Sequence, residues 1–158
     1  MARGMTQDAD RLGRTPLNLL IVEDDDGDAK AVRRALNRSQ IEATLTRAVD
    51  GVEALSIMRG VSRPVPASPY IVLADIRMPR MNGLEFLREL RNDRSLRQVV
   101  VFVLTTSNDD DDKRIAYEAG ISGYILKQKA GRDFASLIET LDRFWNIVSF
   151  PDIRLSED

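Results

Sequence analysis

Residues 70–83 read YIVLADIRMPRMNG, and this stretch decides the fold. Tyr70 to Ala74 is a short apolar run with no polar interruption. Such a run fits a strand buried on both faces, as strands of parallel sheets are when helices cover them. The run stops at Asp75, and a loop follows through Pro79. Gly83 then opens a segment with Leu84, Leu87 and Leu90 at helical spacing. Strand, carboxylate, turn and amphipathic helix are the first half of a βα crossover unit.

The same alternation continues in both directions. Upstream, residues 62–69 hold three prolines and must be a loop. Before it, Val52, Leu55 and Met58 mark a helix over 52–58, and 43–48 alternates as a strand. Ala29, Val32, Ala35 and Leu36 mark a helix over 28–38, and LNLLIV at 17–22 is another buried strand. Downstream, 99–104 is the fourth strand, 109–119 a helix stopped by Gly120, and 123–126 the fifth strand. Phe134, Leu137, Ile138, Leu141, Phe144, Trp145 and Val148 trace one face of a final helix. Five strands alternating with five helices predict a three-layer α/β fold, a doubly wound parallel five-stranded sheet. Right-handed crossovers make the flavodoxin-like strand order 2-1-3-4-5 the leading topology. The expected organisation is a flexible segment 1–15, one domain over 16–149, and a C-terminal extension 150–158.

Composition removes several classes of chemistry. The chain has 158 residues, 43% hydrophobic and 30% charged, which suits one globular domain. It has no cysteine, which excludes disulfides and thiolate metal sites and fits a reducing cytoplasm. It has no histidine, which excludes a Ser-His-Asp triad, a His-ligated zinc and a phosphohistidine on this chain. A net charge of −2 gives no basic face for nucleic acid. No segment has the length and apolarity of a membrane span or the core of a signal peptide.

Sheets of this kind bind ligands outside the carboxyl ends of their strands, at the switch point between strands one and three. Strand one ends in Glu23-Asp24-Asp25-Asp26, strand three in Asp75, strand four in Thr105-Thr106, and strand five in Lys127. Strand two ends in nothing comparable. Two charges ~4 Å apart repel by about 1 kcal/mol in water and about 4 kcal/mol at an effective dielectric of 20. Glu23, Asp24 and Asp75 together therefore call for a cation. Oxygen ligands without His or Cys favour Mg²⁺. Asp75 can then serve as a nucleophile forming an aspartyl phosphate, with Lys127 and the Thr105 hydroxyl on the phosphoryl oxygens. Other acids have plainer readings. Asp25, Asp26 and Asp28 suit a helix N-terminus. The 109–112 run suits a helix start with Asp109–Lys113 and Asp110–Arg114 pairs. Thr106 reads as a small spacer.

These motifs resemble the receiver domains of response regulators, over about residues 16–148. The elements that carry the likeness are Val22-Glu23-Asp24, the run from Asp75 through Met78-Pro79 to Gly83, Leu104-Thr105-Thr106, and Tyr124-Ile125-Leu126-Lys127. The resemblance implies a phosphoacceptor at Asp75 and an acidic pair at Glu23 and Asp24. It also implies a third metal ligand in the Arg77 backbone carbonyl, a hydroxyl switch at Thr105 coupled to an aromatic switch at Tyr124, and a phosphate-binding Lys127. The donor would be a histidine kinase, and the output would leave through the fourth helix, fifth strand and fifth helix, about 109–149. The 104–109 run LTTSND and Phe144-Trp145 followed by Pro151 are similar to the single-domain regulators that partner phytochrome-type kinases. That likeness implies a homodimer with Phe144, Trp145, Phe150 and Ile153 in its interface, and no DNA-binding output domain.

Two residues depart from the pattern. Gln128 follows Lys127 where the family commonly has proline in a cis bond. A cis bond before a non-proline residue costs ~3–4 kcal/mol, so a trans bond or a reshaped loop is expected. Arg77, two past Asp75, and Ser107, two past Thr105, are expected to tune hydrolysis of the acyl phosphate. Onward phosphotransfer in a multi-step relay, a hydrolase with an aspartyl-phosphate intermediate, and a binding module with a dead site are the alternatives.

Overall fold

The computed structural model describes residues 15–62 and 64–153. The strands are β1 (Leu17–Val22), β2 (Ala43–Ala48), β3 (Ile71–Ala74), β4 (Val100–Thr105) and β5 (Gly123–Leu126). The helices are α1 (Asp26–Ser39), α2 (Gly51–Met58), α3 (Gly83–Asn92), α4 (Asp110–Glu118) and α5 (Ala135–Ile147), with short 3₁₀ turns at Lys127–Lys129 and Arg132–Phe134. All strand pairs are parallel, in the expected order β2-β1-β3-β4-β5.

Alternate residues of the central strands feed two separate cores. Leu20 and Val22 of β1, Val72 and Ala74 of β3, and Val101 and Val103 of β4 pack with Leu55, Met58, Phe86 and Leu90 of α2 and α3 and with Ala116 of α4. Leu19 and Ile21, Leu73, and Phe102 and Leu104 pack on the opposite face against Val32 and Leu36 of α1 and Leu137, Ile138 and Leu141 of α5. Both faces being covered is why β1, β3 and β4 tolerate almost no polar residue. Apart from Thr105 at the end of β4, the exception is Asn18, which is buried but satisfied: its amide donates to the Ala67 and Pro69 carbonyls at 3.0 and 3.1 Å and accepts the Thr44 hydroxyl at 2.7 Å. It thereby ties the proline-rich loop to β1.

Four helices start just past strand ends with an Asx cap. Asp25, Asp50, Asn82 and Asp109 each accept the backbone N–H three residues on, at 2.7–3.0 Å. Capping by Asp25 draws Asp26 and Gly27 into the first turn, so α1 begins two residues before the expected start. Gly120 has φ 77, the left-handed residue that stops α4. Phe134 also sits at positive φ, so the last helix begins one residue late. The expected pairs at the start of α4 are replaced by Lys113–Asp110, Arg114–Asp111 and Arg114–Glu118, because Asp109 is engaged as the cap.

The residues expected in a dimer interface also make contacts within the chain. Trp145 is 7% exposed, and its indole N–H donates to the Thr15 carbonyl at 2.9 Å. Phe150 folds back to lie 4.9 Å from the Trp145 ring and 5.7 Å from Phe144, which stacks edge-on against Phe102. Ile153 packs on the other core. Phe144, Phe150 and Ile153 keep part of their surface exposed while making these contacts. Most of the expected flexible segment 1–15, and 154–158 of the extension, lie outside the described residues.

Candidate functional site

Each strand delivers its polar residue to the same edge of the sheet. The Glu23 N–H continues the ladder to the Ala48 carbonyl at 2.9 Å, and the Asp75 N–H donates to Val22 at 3.0 Å. These bonds fix the two acids side by side at the switch point. Asp75 is buried, with Oδ1 accepting the Arg77 N–H at 3.0 Å and Oδ2 accepting Lys127 Nζ at 2.9 Å. Lys127 also lies 2.8 Å from Glu23 Oε1 and 2.5 Å from Asp28 Oδ2. One carboxylate oxygen each from Glu23, Asp24 and Asp75 falls within a 4.8 Å cluster.

The electrostatics show a shortage of positive charge. Three carboxylates, those of Glu23, Asp28 and Asp75, converge here on the one ammonium of Lys127, and Asp24 lies beside them. Burial pushes the Glu23 carboxyl up to about 8; Lys127 pulls against that shift and the Asp75 charge adds to it. Burial pulls the Lys127 ammonium down, but its bonds to Asp28, Glu23 and Asp75 outweigh this and leave it raised. A divalent cation at Glu23, Asp24 and Asp75 would relieve the imbalance, and all-oxygen donors suit a hard ion.

The remaining expected residues surround this centre. Thr105 is fully buried at the end of β4, and its Oγ1 accepts the Ser107 N–H at 3.3 Å. Tyr124 is half-buried, with its hydroxyl donating to the Ser107 carbonyl at 2.8 Å. Burial raises its phenol, aided by the acids of α4. The Arg77 guanidinium is directed to α4, 2.7 Å from Asp112 Oδ2. Among the described residues Ser68–Pro69 is the one cis bond, so Lys127–Gln128 is trans and runs into the 3₁₀ turn as expected.

Several contributors were not expected. β2, read as ending in nothing useful, supplies Arg47, whose guanidinium donates to the Glu23 carbonyl at 2.9 and 3.0 Å and to the Asp24 carbonyl at 3.2 Å, and pairs with Asp26 at 2.6 Å. It holds the acidic loop by its backbone. Asp50, past the end of β2, binds Arg80 Nε at 2.6 Å, and Arg80 adopts φ 62 to reach it. That contact pins the loop after Asp75 to the start of α2. Asp28, read as a helix-start residue, is a direct partner of Lys127. In sequence, each of these is one charged residue among many.

Comparison with known proteins agrees with this arrangement. The response regulator receiver domain family matches residues 19–139. A probable methanogenesis regulatory protein, FilR2 of Methanothrix harundinacea, is 32% identical over 130 residues, covering 82% of this chain and 84% of the relative. The response regulator Rcp1 of a Synechocystis species is 30% identical over 132 residues, covering 82% and 89%. The Mn²⁺-bound structure of Rcp1 superposes with a TM-score of 0.74 at 29% identity, over 87% of this chain and all of that one. The phosphorylated cyanobacterial phytochrome response regulator RcpA superposes at 0.76 with 26% identity, over 87% and 100%. With five strands in the order 2-1-3-4-5 and the acids gathered at their carboxyl ends, the chain belongs to the response regulator receiver domain family.

Proposed function

We propose that Asp75 accepts a phosphoryl group from the phosphohistidine of a histidine kinase in a Mg²⁺-dependent reaction in the cytoplasm. The observation that carries this reading is the placing of the Asp75 carboxylate between Lys127, at 2.9 Å, and the oxygens of Glu23 and Asp24. An Asp75 oxygen attacks phosphorus, the N–P bond breaks, and the imidazole leaves with the electron pair and takes a proton. Glu23, Asp24, Asp75 and the Arg77 carbonyl would hold Mg²⁺, which when bound neutralises phosphoryl oxygens. Lys127 takes one phosphoryl oxygen and the Thr105 hydroxyl another. Tyr124 follows Thr105 inward, which frees the Ser107 carbonyl and alters the face made by α4, β5 and α5. Arg77 and Ser107 set the rate of hydrolysis.

Receiver domains act as signalling switches, and those of response regulators interact with histidine kinases. The likeness to Rcp1 and RcpA supports a phytochrome-type kinase as the donor. Self-association through the α4-β5-α5 face and the extension is supported by Tyr117, 53% exposed, and Ile147, 83% exposed, rather than by Trp145. Among the described residues no helix is long and apolar enough to cross a membrane. The test is incubation with Mg²⁺ and acetyl phosphate followed by intact mass measurement. One phosphoryl adduct is expected, absent from Asp75→Asn and without EDTA-resistant formation. An unmodified wild-type protein overturns the reading.

A further inference from the structure

Asp112 has no place in the chemistry above, yet its carboxylate is where two loops of the site meet. Its Oδ2 accepts Ser107 Oγ at 2.6 Å and Arg77 Nη2 at 2.7 Å. The side chain is only 15% exposed, and its backbone N–H is fixed in the first turn of α4 by the Asp109 cap at 3.0 Å. Arg77 is tethered at its other end, its N–H donating to Asp75 Oδ1 at 3.0 Å. The guanidinium of the residue two past the phosphoacceptor is thus held by a carboxylate of α4, while the Asp75 oxygens are bound by Lys127 and a backbone N–H.

We infer that Asp112 is a positioning residue that shortens the life of the acyl phosphate by holding Arg77 off Asp75. This rests on Asp75 being the phosphoacceptor. In hydrolysis, water attacks phosphorus, the bond from phosphorus to the Asp75 oxygen breaks, and the carboxylate leaves with the electron pair. The water proton passes to solvent, and inorganic phosphate departs. The attack needs an open in-line path. A guanidinium released from Asp112 forks onto the phosphoryl oxygens, which it matches in charge and geometry, and covers that path.

The protein is phosphorylated with acetyl phosphate and Mg²⁺, the donor is removed, and the half-life is followed by intact mass. The half-life should lengthen by about fivefold or more in Asp112→Ala. In an Arg77→Ala background the same change should alter it by less than about twofold, since Asp112 acts through Arg77. Asp112→Asn, which keeps the shape and loses the charge, should also lengthen it and guards against a folding defect. Independently of phosphate, the Arg77 guanidinium nitrogen resonances should shift in Asp112→Asn as the charged pair is lost, and stay unmoved if Arg77 is not held by Asp112 in solution. Wild-type half-life in Asp112→Asn, or an undiminished effect without Arg77, overturns the inference while leaving Asp75 phosphorylation intact. A wild-type protein that takes no phosphoryl group overturns both.

Discussion

Gly83→Ala should damage stability and phosphorylation together. Gly83 is the first residue of α3, and its N–H donates to the Ile76 carbonyl at 3.2 Å. A Cβ there would overlap the Asp75 carbonyl oxygen and lie 2.6 Å from Ile76 Cα and 2.9 Å from Ile76 Cγ2. Two of these atoms are backbone and have no rotamer by which to yield. Alanine gains up to about 1 kcal/mol in helix propensity, less at a first turn. Overpacking costs about 1–3 kcal/mol, and a backbone clash belongs at the upper end. The net loss should be about 1–2 kcal/mol, read as a lower urea midpoint at unchanged slope. The strain is relieved by moving the 75–76 peptide, which carries Asp75 away from Lys127. A displacement near 1 Å can slow a positioned reaction by about 10²-fold, so the rate with acetyl phosphate should fall well beyond the stability effect. Gly120→Ala is the control. Its φ of 77 imposes about 1–2 kcal/mol of strain, but the nearest atom to a Cβ is Arg91 Nε at 3.7 Å, so phosphorylation should be spared. Wild-type urea midpoint and rate in Gly83→Ala would refute the argument.

Three further outcomes follow from the packing and the site. The Tyr70 hydroxyl is buried without a hydrogen-bond partner among the described residues, and burial pushes its phenol up to about 12. An unfolded tyrosine ionises near pH 10, so the wild type should lose up to about 1.4 kcal/mol per pH unit between 10 and 12 from this residue. Tyr70→Phe should be within about 1 kcal/mol of the wild type at pH 7 and show a shallower alkaline limb in urea titrations. The Arg91 guanidinium donates to the carbonyls of Ala119, Gly120, Arg97 and Val99 at 2.7–3.2 Å, gathering the end of α4 and the entry to β4. Arg91→Ala should lose about 2–3 kcal/mol by urea denaturation, discounted for its partial exposure, with no change in phosphorylation rate because it lies at the opposite end of the sheet from Asp75. Mg²⁺ at ten times its dissociation constant should stabilise the wild type by about 1.4 kcal/mol, and Asp24→Asn should lose most of that gain in thermal melts.

The fold was legible because each element signals for itself. LNLLIV, IVLA and VVFVLT are buried strands on local evidence, and the polar residue that ends each run marks the carboxyl edge. Glu23, Asp75, Thr105 and Lys127 were found in this way, since a strand end can be read without knowing its neighbour. The helix caps were less legible in their register. Asp25 and Asp28 compete for the same role until the side-chain bond from one to the backbone of the other is seen. The packing of the aromatic tail was hidden for a related reason. Phe144, Trp145 and Phe150 are too many for one helix face, but Phe150, past the end of α5, folds back and the rings pack on one another.

What could not be read is the set of charged pairs that join one loop to another. Arg47 with Asp26, Arg80 with Asp50, Arg77 with Asp112 and Lys127 with Asp28 are separated by 21, 30, 35 and 99 residues. Each depends on which strand lies beside which, and on side-chain reach rather than periodicity. All four share a consequence: they anchor the loops after β1, β3 and β5, the three that carry Glu23, Asp75 and Lys127. The buried acids specify what chemistry the site can do. The pairs around them, with partners from α1, α2, α4 and β2, specify how far each acid can move. An exposed ion pair adds little to global stability. The Arg47–Asp26 pair, whose acid is exposed, is therefore better suited to setting loop position than to holding the fold, and a change in the charge of Asp75 would be felt first by its direct partner Lys127.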